Sequence, residues 1–251
     1  MKIDLNADIG EGFGRWRIAD DDALMTLISS ANIACGYHAG DHLIMDRMVR
    51  AAKAHHVSIG AHPGLPDLMG FGRRDMAVSA EEMEAMLAYQ IGALKGIATR
   101  HGVRVEHVSY HAAFGTMANS DQDLADRLAR VIAGLDSSLV MLCMAGHPIE
   151  KAAQKAGLRV RHLFLADRAY RIDGTLVPRG QPGAVIHAPE LMLERINYFL
   201  KQGGVITQDG TALPIKTRSI LLHSDTPGSD VLARTIASQI MEAGGQILRP
   251  D

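Results

Sequence analysis

A chain of 251 residues with 47% hydrophobic and 22% charged side chains is long enough to bury a sizeable core and has the balance of a globular protein. Its net charge of −2 excludes the broad basic face that nucleic acid or an anionic membrane surface requires. No run approaches the roughly 18 apolar residues of a membrane span, and acids at positions 4 and 8 stand where a signal peptide needs an apolar stretch. A cytoplasmic protein is expected, with Cys35 and Cys143 as buried thiols and not a metal pair.

Apolar periodicity predicts strands near 2–7, 31–36, 57–61, 103–110, 138–144, 158–166 and 218–223. Helical patterns lie between them near 20–30, 42–55, 80–100, 121–134, 148–156, 189–201 and 228–243. Ser79 and Glu82 have the spacing of a capping box. Ser120 suits an N-cap, Pro148 a first helical turn and Gly157 a helix stop. Two long loops break the rhythm, 63–78 and 167–188; the first is expected to be a mobile lid. "GGVITQDGTALPIK" reads as a hairpin turning at Asp209-Gly210. With no Pro-, Gly- or Ser-rich linker, residues 1–251 read as one α/β domain, a parallel sheet with helices outside it.

Ionisable residues collect after the strands: Asp8 and Glu11, then His38 and Asp41, then His62. The fourth strand ends at His111, the sixth at Asp167 and Arg168, and the seventh at His223 and Asp225; the fifth offers only His147. Parallel strands point their C-terminal ends to one side, where ligands bind. Groups on nearly every strand favour a closed or nearly closed barrel over an open sheet, whose site sits at one switch point. Single residues also carry plain readings. Asp41 fits an N-cap for a helix starting at His42, Asp225 before "TPG" fits a turn and a cap for the last helix, and Arg168 fits a pair with Asp167 or a neighbouring acid. His42, His55, His56, His101, His107 and His162 read as structural or surface. As an ensemble, four histidines with several carboxylates point to acid–base chemistry or to a divalent metal of unknown identity. In "GFGRRD", Gly70 to Asp75, the glycines let backbone approach a ligand, and Arg73 and Arg74 offer planar donors to an anionic substrate. GxxxxGK[ST], dinucleotide and GxSxG motifs are absent.

The segments "DLNADIGEGFG", "SANIACGYHAGD", "IGAHPGLPDLMGFGRRDM", "YQIGALK", "ADRAYRIDGTLVPRGQPGAVIH" and "HSDTP", in order from residue 4 to 227, resemble the LamB/YcsF family. The resemblance implies a glycoside hydrolase/deacetylase-like β/α barrel of about seven strands. It also implies ATP-dependent hydrolysis of the lactam 5-oxoproline to glutamate, with ATP as cofactor and PxpB-like and PxpC-like subunits as partners. The family's functional positions fall on Asp8, Glu11, His38, Asp41, His62, Arg73, Asp167, Arg168, His223 and Asp225. Asp8, His38, His62 and Asp225 of these, with His111, are expected to be catalytic. Glu11, Asp41, Arg73, Asp167, Arg168 and His223 are expected to bind substrate. Where the family reads "KPHGALYN" this chain has "SYHAAFGT", placing Ser109, Ala112, Gly115 and Thr116 at the lysine, glycine, tyrosine and asparagine. Ala7 and Ser224 are further departures. A pocket lacking the lysine is expected to bind 5-oxoproline more weakly, as in a diverged paralogue. A metal-dependent amidase or deacetylase is one alternative, and a non-catalytic binding protein within a complex is the other.

Overall fold

The computed structural model describes residues 1–249. Along the chain come β1 (Lys2–Ile9), α1 (Asp21–Met25), β2 (Ser30–Ala34), α2 (His42–Ala54), β3 (Ser58–His62), α3 (Ala80–Arg100) and β4 (His107–Ser109). There follow α4 (Ala112–Ala118), α5 (Gln122–Leu135), β5 (Val140–Cys143), α6 (Pro148–Lys155), β6 (Arg159–His162) and β7 (Phe164–Leu165). The last third holds α7 (Pro189–Gln202), the antiparallel pair β8 (Gly204–Ile206) and β9 (Ala212–Pro214), β10 (Ser219–Leu222), α8 (Ser229–Glu242) and β11 (Gln246–Ile247). No helix among the described residues is long and apolar enough to cross a membrane.

Eight strands pair in the order β6-β5-β4-β3-β2-β1-β10-β7, and every pairing on that path is parallel. The sheet's two ends, β6 and β7, are consecutive in sequence with only Leu163 between them. One stretch of chain therefore serves both edges and wraps the sheet into a barrel. The expected count of seven strands becomes eight because the sixth predicted strand is split at Leu163. There the backbone leaves β5, with Leu163 N–H donating to the Cys143 carbonyl at 3.0 Å, and turns to β10.

Side chains alternate across each strand. Leu5, Ala7, Ile33, Ile59, Val108 and Ile220 face outward into the main core. Helix residues at i, i+3, i+4 and i+7 cover them, as Met45, Met48, Val49 and Ala52 of α2 do. Burying each such large side chain contributes roughly 1.5–3 kcal/mol. Inside the barrel, Asp4, Asn6, Ser30, Asn32, Ser58, His107 and Ser219 form a buried polar half. Val140, Leu142, Leu163, Leu165 and Leu221 make a small apolar cluster of their own.

The capping box at Ser79 is present, and Pro148 opens α6. Four local expectations are corrected. The helix expected to reach residue 30 stops at Met25, because the Ser29 and Ser30 hydroxyls both donate to Asp4 Oδ1, at 2.8 and 2.7 Å, and draw that segment into the sheet. Asp121, and not Ser120, caps α5, its carboxylate accepting from Asp123 N–H. The strand expected over 103–110 is confined to 107–109. Helix α4, which begins straight after His111, has no counterpart among the expected elements.

Candidate active site

Four strand ends build the centre. Asp8 lies near the end of β1 and Glu11 just beyond it, His38 follows β2, His62 ends β3 and His111 follows β4; all five are buried. One ligand atom each from Glu11, His38, His62 and His111 lies within 4.8 Å of the others. Glu11 Oε1 is 3.2 Å from His38 Nε2, 3.4 Å from His111 Nδ1 and 3.8 Å from His62 Nε2. The His38 and His111 rings stack with centroids 3.7 Å apart.

Backbone carbonyls set the histidine tautomers. A carbonyl only accepts, so His62 Nδ1, 2.7 Å from the Ser109 oxygen, carries a proton. For the same reason His111 Nε2, 2.7 Å from the Phe71 oxygen, carries one. In the neutral rings this leaves His62 Nε2 and His111 Nδ1 as lone pairs, yet they face each other at 3.0 Å. Two lone pairs that close repel unless a proton or a metal cation lies between them. Carbonyls behind the outer ring nitrogens are also how metal-binding histidines are oriented. The residues present can thus hold a divalent cation.

Burial governs the charges. It raises the pKa of Asp8 and of Glu11, although His62 opposes it in both. It carries His38 and His111 well below the usual histidine value, so both are neutral. His223 is the exception. Burial alone would lower it, but the Asp167 carboxylate, accepting from His223 Nδ1 at 2.8 Å, outweighs burial and pushes it up to about 9. This imidazolium stands 3.9 Å from Asp8 Oδ2.

The LamB/YcsF family pattern matches residues 3–250, nearly the whole sequence. The chain belongs to the LamB/YcsF family. A Pectobacterium atrosepticum protein named as a subunit of 5-oxoprolinase is 54% identical over 247 residues, which span 98% of this chain and 96% of that one. A Bradyrhizobium diazoefficiens protein with the same subunit name is 53% identical, with 98% and 97% covered. The crystal structure of a lactam utilization protein from Thermus thermophilus superposes with a TM-score of 0.93 at 38% identity over 100% of both chains.

In this LamB/YcsF barrel the predicted residues divide into three groups. Asp8, Glu11, His38, His62 and His111 converge, and the Asp167–His223 pair flanks them. Arg73 and Asp225 meet each other, Arg73 Nη2 donating to Asp225 Oδ2 at 2.6 Å. Asp41 and Arg168 are engaged elsewhere. Asp41 caps α2 through the N–H groups of Leu43 and Ile44 and also accepts from Gly14. Arg168 donates to the carbonyls of Ala184 and Val177 and so ties down the second long loop. Arg74 likewise pairs with Asp67 inside its own loop.

The glycines of loop 63–78 make room for protein, not directly for a ligand. A Cβ on Gly64 would lie 2.4 Å from His38 Nδ1, and one on Gly72, at φ +62°, 2.6 Å from His38 Cβ. Of the departures in the fourth segment, Ser109 shares the inward face of β4 with His107 and lends its carbonyl to His62. Gly115 faces Tyr110 instead of the cluster.

Four contributors escape a reading by strand ends. Asn32 donates to Asp8 Oδ1 at 2.9 Å, Ser224 donates to Glu11 Oε2 at 3.3 Å, and the Phe71 carbonyl receives His111. Asn32 was legible as an inward position of a period-2 strand. Arg179, in the second loop, has its pKa lowered by burial and then by the Arg73 guanidinium, while Asp167, Asp225 and Asp8 act in the opposite sense. No periodicity marks it.

Proposed function

We propose that this chain is the lactam-opening component of an ATP-dependent 5-oxoprolinase, acting on 5-oxoproline in the cytoplasm with PxpB-like and PxpC-like partners. The observation that carries the reading is the buried Glu11–His38–His62–His111 cluster beside Asp8, in a family whose relatives are named as 5-oxoprolinase subunits. A protein named as one subunit belongs to an assembly of several chains. With no phosphate loop in this sequence, ATP is taken to enter through the assembly. Phosphorylation of the lactam oxygen activates the carbonyl carbon; water adds to it and the ring C–N bond breaks as nitrogen gains a proton, leaving an acyl phosphate that a second water hydrolyses to the carboxylate and phosphate.

Asp8, a buried carboxylate with a raised pKa, suits the base that accepts a proton from water. His38 and His111, kept neutral by burial, are poor donors at neutral pH. His223, held charged by Asp167, is the proton donor in this reading. Arg73 binds the substrate carboxylate, and the unpartnered Asp167 Oδ1 accepts from the lactam N–H. Glu11, His62 and His111 would hold a divalent ion, with His38 joining once its proton moves to Nδ1. Such an ion supplies Lewis-acid polarisation of a carbonyl or an activated water. That donor set also favours a second reading, a metal-dependent amidase on a related small substrate that needs no ATP.

The test is lactam-dependent ATP hydrolysis by the purified chain alone and with its candidate partner proteins. Glutamate formation that requires ATP and the partners supports the first reading. ATP-independent hydrolysis that a chelator abolishes selects the second, and no turnover of any lactam or amide overturns both.

A further inference from the structure

The strand-end pattern leaves His107 without a role, yet it is among the most buried histidines, at 1% exposure inside the barrel. Its Nε2 lies 2.9 Å from Asn32 Oδ1. The Asn32 amide donates from Nδ2 to Asp8 Oδ1 at 2.9 Å and to Asn6 Oδ1 at 3.1 Å. Asn6 Nδ2 donates to Ser219 Oγ, which donates in turn to Asp4 Oδ2. The carboxylates at the two ends, Asp4 and Asp8, can only accept while ionised. Asp8 therefore requires the NH₂ end of Asn32, and the oxygen end of Asn32 requires a donor from the other side. His107 is that donor. Burial pushes its pKa down to about 3, so the ring is neutral and its single proton sits on Nε2.

We propose that His107 is a positioning residue for Asp8, acting through Asn32, and that Gly60 is part of the same device. A Cβ at Gly60 would fall 2.0 Å from His107 Nε2, so the ring can cross the lumen only because that position on β3 has no side chain. With the amide fixed, Asp8 Oδ1 is engaged and Oδ2 is left facing His62 and His223, at 3.5 and 3.9 Å. Without the His107 proton, Asn32 can turn its oxygen toward Asp8, and two acceptors then confront each other in a site sealed from water. The catalytic consequence rests on the reading of Asp8 as the base.

Two measurements test this. In the assembled enzyme, His107→Met, which fills the space without a donor, should lower kcat at least tenfold with KM within about twofold. His107→Gln, which restores an N–H, should recover most of the loss. Gly60→Ala should reproduce the His107→Met defect. Loss of kcat and KM together, or equal behaviour of Met and Gln, overturns the proposal. Independently of activity, ¹⁵N NMR of the wild-type protein at neutral pH should show His107 as the neutral Nε2–H tautomer and the Asn32 amide protons protected from exchange. An Nδ1–H tautomer overturns the positioning role. If the wild-type assembly turns over no lactam, the functional reading fails, while the NMR result still decides the hydrogen-bond relay.

Discussion

Replacing Arg73 with alanine separates substrate anchoring from architecture. Arg73 and Asp225 meet at 2.6 Å, but their side chains keep 29% and 20% of their surface exposed. Solvent screens such a pair to about 0.2–1 kcal/mol. The guanidinium also stands 4.9 Å from the Phe71 ring centroid, a contact worth about 0.5–1 kcal/mol. Together these make ~1–2 kcal/mol, or a fall in Tm of about 2–8 °C for a chain of this size. A charge-assisted hydrogen bond to a substrate carboxylate is worth roughly 1.5–3 kcal/mol, about ten- to a hundredfold in affinity. Arg73→Ala should therefore raise KM for the lactam at least tenfold in the reconstituted assay while thermal melting shifts by only a few degrees. An unchanged KM combined with a large loss of Tm would refute the reasoning and leave Arg73 as an ion-pair partner alone.

Three further outcomes are expected. If a divalent ion occupies the cluster, Zn²⁺ added to chelator-treated protein at about a hundred times its Kd should stabilise it by about 2.7 kcal/mol, a rise of about 5–10 °C. Glu11→Gln or His62→Gln should abolish that response, and identical melting curves with and without metal would leave a shared proton between His62 and His111. Raised to about 9 in the fold from an ordinary value near 6.5, His223 stabilises the protein fully below about pH 6.5, and that contribution disappears as pH rises through about 9. Asp167→Asn should flatten the decline of Tm across this window, and a wild-type curve no steeper than the variant's would contradict the pairing. Ala112, where the family motif has glycine, sits at φ +31°. A side chain there costs roughly 1–2 kcal/mol, of which glycine's extra freedom in the unfolded chain returns about 0.4–1, so Ala112→Gly should stabilise by about 0.5–1 kcal/mol. A lower Tm would show that the turn is unstrained.

The barrel was legible because parallel strands buried on both faces, alternating with amphipathic helices, leave a strong periodic signal. The centre was legible because its residues stand at strand C-terminal ends. What escaped had local causes without periodicity. The break at Leu163 depends on which neighbouring strand each half meets, a tertiary fact. Helix α4 is seven residues long, too short for an apolar repeat to show. Asp41 and Arg168 carry the right chemistry, but nothing in sequence tells a carboxylate that caps a helix from one that faces a ligand. His107 escapes for the converse reason. It lies two residues before Ser109 on the same strand face, and only the strand's short extent and the missing side chain at Gly60 turn it toward Asn32.

The split between β6 and β7 gives the barrel a seam. Along it β7 is joined to β10 by two residue pairs, Phe164 with Ile220 and Leu165 with Leu221, whereas β2 and β3 share five. Asp167 and His223 sit just past the ends of those two strands, so their hydrogen bond is a clasp across the seam. The proposed proton donor and the fastener of the wall are then one contact. A protein that loses the charge on His223 unbuttons the barrel at a junction held by two residue pairs, so backbone amides of β7 and β10 should exchange with solvent sooner than those of β1 and β2, which share four.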